Sequence, residues 1–72
     1  MTGKEIAALV KQARTQRNWT QAKLATEAGV DKSVVSRLEK GEEEVGQVSQ
    51  TKIALTLNLS WAIGIPLEKK LY

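Results

Sequence analysis

The feature that most constrains this chain is a break of three residues. Gly29, Val30 and Asp31 separate two short apolar-periodic segments, and each segment carries its own start and stop signals. Thr20 stands where an N-cap belongs, with a hydroxyl able to accept an orphan backbone N–H, and Trp19 ahead of it can staple onto Leu24. Gly29 is the residue type best suited to a left-handed C-cap. Asp31 and Val30 repeat the device, with Val30 able to pack on Val35, and Gly41 closes the second segment. The spacing predicts a short helix ending at Gly29 and another from about Lys32 to Lys40. Helices joined by so tight a turn must cross steeply. On the second of them Val34, Val35 and Leu38 form an inward stripe, while Ser33, Ser36, Arg37 and Lys40 share the other side.

Around this pair the chain supplies further walls. From Gly3 to Arg17, Ile6, Leu9, Val10 and Ala13 recur at helical spacing, which predicts an amphipathic first helix interrupted at Asn18 and Trp19. Glu42 to Gly46 reads as a polar loop and Ser49 as another N-cap. The following segment is ambiguous, because Ile53, Leu55, Leu57, Leu59, Trp61, Ile63 and Ile65 alternate at period two, yet Gln50, Ile53, Ala54 and Leu57 lie at helical spacing. Three helices with narrow stripes need another wall, so the segment is divided into a helix from about Ser49 to Asn58 and a strand from about Ser60 to Ile65, stopped by Pro66. The expectation is an all-α body over residues 1–59 and a dimerisation strand and tail over residues 60–72.

Composition removes whole classes of function. At 72 residues the chain has room for one domain, and without Cys or His it has no disulfide, no common zinc ligand set and no imidazole or thiol for a catalytic triad. Serines without a base and carboxylates gathered on one loop make an enzyme unexpected, and neither a metal nor a cofactor is implied. Trp19, Trp61 and Tyr72 are too few aromatics for a base-stacking RNA platform. The uncharged stretch from Ile53 to Leu67 is too short and too interrupted to span a membrane, and no apolar signal core follows Met1. A cytoplasmic protein is expected.

Charge points to a partner. Residues 1–41 hold eight of the eleven Lys and Arg against four carboxylates, whereas residues 42–72 hold three cations against four carboxylates. A polyanion would meet the first part of the chain. A helix, a glycine turn and a helix with a polar outer face form the arrangement that lays a helix in the DNA major groove. Lys32, Ser33 and Arg37 then have the chemistry to read bases, since Arg chelates guanine O6 and N7, Lys donates to the same atoms and Ser serves any base weakly. Ser36 shares their face. Gln21, first in its helix, is aimed at phosphate by its backbone N–H and the helix dipole. Lys23 is a cation in a first turn, unfavourable unless an anion such as phosphate lies near.

The run from Trp19 through Thr20, Gln21, Leu24 and Ala25, followed by Gly29, Val30, Ser33, Val35, Ser36, Arg37, Leu38, Glu39 and Gly41, resembles the lambda-repressor-like helix-turn-helix family of the Cro/CI or XRE type. The match is tightest over Thr20 to Gly41 and extends more weakly over Ile6 to Leu59. The resemblance implies an all-α fold of four to five helices and double-stranded DNA as partner. It puts base contacts on Lys32, Ser33, Ser36 and Arg37, and phosphate contacts on Gln21 and on the backbone around Lys40 and Gly41. It also implies a scaffold ion pair between Arg14 and Glu39. Lys23 departs from the Glu common at its position, a change that favours DNA. Glu42, Glu43 and Glu44 occupy a loop that in the family often approaches phosphate, so here the loop either turns away from the duplex or serves another partner, and a solvated loop is the preferred reading.

A lone strand leaves unpaired backbone groups beside Trp61, Ile63 and Ile65, so a second copy is expected to pair with it across a two-fold axis, with Leu59 at the edge of the interface. Such a homodimer presents its recognition helices about 34 Å apart, matching a palindromic operator. The layout is also similar to the HipB-like antitoxins of this family. The usual family pattern instead has a fifth short helix starting near Ser60, which Gly64 and Pro66 disfavour. The two functional readings are a transcriptional repressor and an antitoxin that binds its own operator and a partner toxin.

Overall fold

The structure, a computed structural model, describes residues 2–42 and 44–59. Among them run four helices, α1 (Gly3–Gln16), α2 (Gln21–Ala28), α3 (Lys32–Glu39) and α4 (Gln47–Leu57). α1 starts with a reciprocal cap: the Glu5 backbone N–H donates to Thr2 Oγ1 at 3.2 Å, and the Thr2 N–H donates to Glu5 Oε1 at 2.8 Å. The bond from the Thr2 backbone holds the Glu5 carboxyl below its ordinary range, helped by the Thr2 hydroxyl. At α2 the Thr20 hydroxyl accepts from the Lys23 N–H at 3.0 Å. Asp31 occupies the N-cap of α3 without a side-chain bond, and its carbonyl accepts from Val34 and Val35 instead.

All four described helices end the same way. Asn18, Gly29, Gly41 and Asn58 take φ of 58°, 73°, 86° and 59°, the left-handed region where Gly and then Asn are least strained. In each case the residue that follows donates its N–H to a carbonyl in the last turn: Trp19 to Arg14 at 3.1 Å, Val30 to Ala25 at 3.0 Å, Glu42 to Arg37 at 3.2 Å and Leu59 to Ala54 at 2.8 Å. Trp19, Val30 and Leu59 turn back onto the core, the apolar contact that usually completes this cap. Glu42 is the exception.

The core is small and apolar. Val10, Leu24, Val35 and Ile53 are fully buried, with Leu38 and Leu57 almost so, and Ala13, Ala25, Ala28, Val45 and Ala54 fill the gaps. α2 packs on α3 and α4, and α1 on α3, so every helix contributes its stripe to one cluster. Arg17 ties the ends of α1 and α4 together, donating to the Ala13 carbonyl at 2.9 Å and the Leu57 carbonyl at 3.2 Å, with its guanidinium 5.8 Å from the centre of the Trp19 ring.

One expectation changes. The fourth helix starts at Gln47 behind the N-cap Gly46, so Ser49 lies in its first turn rather than capping it. The cause is Val45, buried at 6% exposure: once it docks on the core, the chain must turn into the helix immediately. The strand expected from about Ser60 to Ile65, with Trp61, Ile63 and Ile65, lies outside the described residues. Among the described residues no helix is long and apolar enough to cross a membrane.

Candidate nucleic-acid interface

α3 is held from behind and open in front. Val35 and Leu38 are buried at 0% and 1% exposure, while Lys32, Ser33, Arg37 and Lys40 are exposed and Ser36 is half-buried. Helical spacing does the sorting, since residues three and four apart share a face and the apolar face is fixed in the core. Lys32 opens the helix, three residues past the left-handed Gly29 and next to the Asp31 cap, so its side chain leaves from the end of the helix nearest the turn.

A polar network fixes the angle of this helix. The Glu39 carboxylate accepts from Arg14 Nε at 2.7 Å on one oxygen and from Arg14 Nη2 at 3.0 Å on the other. Arg14 Nη1 donates to the Trp19 carbonyl at 2.7 Å, and Gln21 Nε2 donates to Glu39 Oε1 at 3.1 Å. The two charged side chains are 12% and 4% exposed, and the bonds from Glu39 raise the Arg14 pKa above its already high value, against a smaller opposing effect of burial. The network therefore joins α1, the start of α2 and the end of α3 at one buried carboxylate. Its bidentate fork is the strong form of such a pair. The side-chain amide of Gln21 is committed to this network, and what Gln21 offers outward is the backbone N–H at the first position of α2.

The remaining cations are distributed unevenly. Lys23 pairs with Glu27 at 3.0 Å and lies 6.0 Å from the centre of the Trp19 ring, so its place in a first turn is partly offset within the chain, while half of its side chain stays exposed at the surface. Lys40 is exposed at the C-cap of α3, beside Gly41. Lys4 of α1, which the sequence pattern did not single out, stands over Gly41: a Cβ at that glycine would lie 3.4 Å from its Cγ. Thirty-odd residues of separation hid this neighbour, and no local pattern could have found it. Leu59 is half-buried against the core of its own chain.

The acidic loop is closer to the interface than its composition suggested. Arg37 Nε donates to Glu42 Oε1 at 3.0 Å, both side chains being nearly half exposed. One carboxylate of the loop thus stands beside the outward face of α3.

A helix-turn-helix family model matches residues 10–63, three quarters of the chain, and spans the Arg14 anchor, both crossing helices and α4. Among curated proteins none matches the chain. With its fold, its matched span and the outward face of α3 in agreement, the chain belongs to the XRE-type, lambda-repressor-like helix-turn-helix family of DNA-binding transcription regulators.

Proposed function

We propose that this regulator is sequence-specific, acts as a repressor and works as a homodimer that reads a palindromic operator. The observation that carries the reading is the division of α3 into a fully buried Val35 and Leu38 edge and an exposed edge bearing Lys32, Ser33 and Arg37. Base contacts fall to Lys32, Ser33, Ser36 and Arg37, and phosphate contacts to Gln21, Lys23, Lys40 and Gly41, with Arg14 and Glu39 bracing the helix behind them. Repression follows where the operator overlaps a promoter, because a helix seated in the major groove occupies the site. The dimer is supported by the period-two run of Leu59, Trp61, Ile63 and Ile65.

The antitoxin alternative rests on a layout similar to HipB-like antitoxins and on the acidic loop or the C-terminal tail as the holder of a partner, and part of the loop's acid is engaged by Arg37 rather than offered to a basic partner. Selection of duplexes from a randomised pool, followed by binding measurements on Arg37→Ala, tests the main reading. The variant should lose about 1–3 kcal/mol on the selected site and lose preference at one position of each half-site. Unchanged preference at every position would remove Arg37 from base reading.

A further inference from the structure

The geometry points to Glu42 as a positioning residue for Arg37, one that sets sequence discrimination; this rests on the reading of Arg37 as a base contact. Two independent links join the residues. The left-handed cap at Gly41 bonds the Glu42 N–H to the Arg37 carbonyl at 3.2 Å, which fixes the Glu42 backbone one turn below Arg37. Its side chain then meets the Arg37 guanidinium at 3.0 Å. At the other three described helix ends the residue in the place of Glu42 is Trp19, Val30 or Leu59, packed on the core. Here the apolar contact that normally completes the cap is replaced by an ionic one on the outward face of α3.

The choice of atom gives the pair its consequence. Glu42 takes Nε, on the side edge of the guanidinium, rather than the end edge formed by Nη1 and Nη2. That end edge keeps two N–H donors with which Arg can chelate guanine O6 and N7 in the major groove. A carboxylate on Nε removes rotamer freedom that Arg37 would otherwise lose on binding, and it lowers the attraction of the same guanidinium for an arbitrary phosphate. Glu42 therefore favours the matched base over the unspecific backbone.

The test compares full-length wild type, Glu42→Ala, Glu42→Gln and Arg37→Ala on three duplexes of equal length: one selected from a randomised pool, the same duplex with the Arg37-dependent guanine replaced, and an unrelated one. Glu42→Ala should bind the unrelated duplex more tightly and lower the ratio between selected and substituted duplex about two- to fivefold, the range set by an exposed pair. Glu42→Gln keeps an acceptor oxygen without the charge, so it should also tighten unrelated binding yet retain most of the ratio. Equal losses of ratio in both variants would reduce Glu42 to a charge and overturn the positioning role. An unchanged ratio in both, with Arg37→Ala still lowering it, would overturn Glu42 alone. If Arg37→Ala leaves the ratio intact at every position, both readings fall.

Discussion

Glu39 is the residue on which most of the geometry converges. Its carboxylate receives Nε and Nη2 of Arg14 and the Gln21 amide while remaining 4% exposed on its side chain, so its charge depends on partners rather than on water. Removing one partner strands that charge. Arg14→Leu should therefore destabilise the domain by about 2–4 kcal/mol in denaturant unfolding, at the lower end for a partner of a buried carboxylate because Gln21 stays in place. A loss below 0.5 kcal/mol, roughly the scale of an exposed pair, would show that Glu39 finds water instead. Arg37 and Glu42 are the contrasting case, both nearly half exposed, where the pair contributes little to stability and its effect is on which atoms of Arg37 remain to meet a base.

At the scale of the element, the helix ends carry more information than the helix interiors. α2 and α3 are only eight residues each, too short to persist alone, so caps and the buried stripe must hold them. Gly29 takes φ of 73° with open space where a Cβ would stand, so the penalty for substitution there is conformational rather than steric. Gly29→Ala should cost about 1–2 kcal/mol, and Gly29→Asn measurably less, by thermal melting. Asn18 and Asn58 already occupy the equivalent positions of α1 and α4. Equal losses for both substitutions would contradict the assignment of cost to φ alone.

The same local signals explain what the sequence makes legible. Thr20, Gly29 and Gly41 announce themselves because a cap involves neighbours in sequence, and the crossing pair α2 and α3 was legible from them. The start of α4 was not: Ser49 has the chemistry of a cap, but burial of Val45 sets the turn at Gly46, a tertiary effect with no local marker. Contacts made across the fold were equally silent. The third bond to Glu39 from Gln21, the clamp of Arg17 on the Leu57 carbonyl and the place of Lys4 over Gly41 all join residues distant in the chain. Glu42 sits between these cases. It is near Arg37 in sequence, yet a run of three acids reads as a solvated loop until the cap geometry is seen.

At the scale of the whole molecule, one small core orients everything. Cations gather toward the first 41 residues, and the exposed edge of α3 lies among them. A monomer with this core has a single reading helix, and the period-two run beginning at Leu59 is the segment proposed to supply the second. A chain ending at Leu59 should sediment as a monomer while the full chain sediments as a dimer, with the helical content of the body retained. A dimer that survives the truncation would place the two-fold contact elsewhere.

The central claim is that the outward edge of α3 is the surface that meets DNA, and residue-resolved NMR of the labelled protein titrated with a selected duplex tests it most directly. Amide signals of Lys32, Ser33, Ser36 and Arg37 should shift and broaden together, with Gln21 and Gly41 following, while Gln12 and Gln16, four residues apart on the exposed face of α1 opposite Arg14, stay in place. Perturbation centred on α1 or α4, with the α3 signals unmoved, would contradict the account.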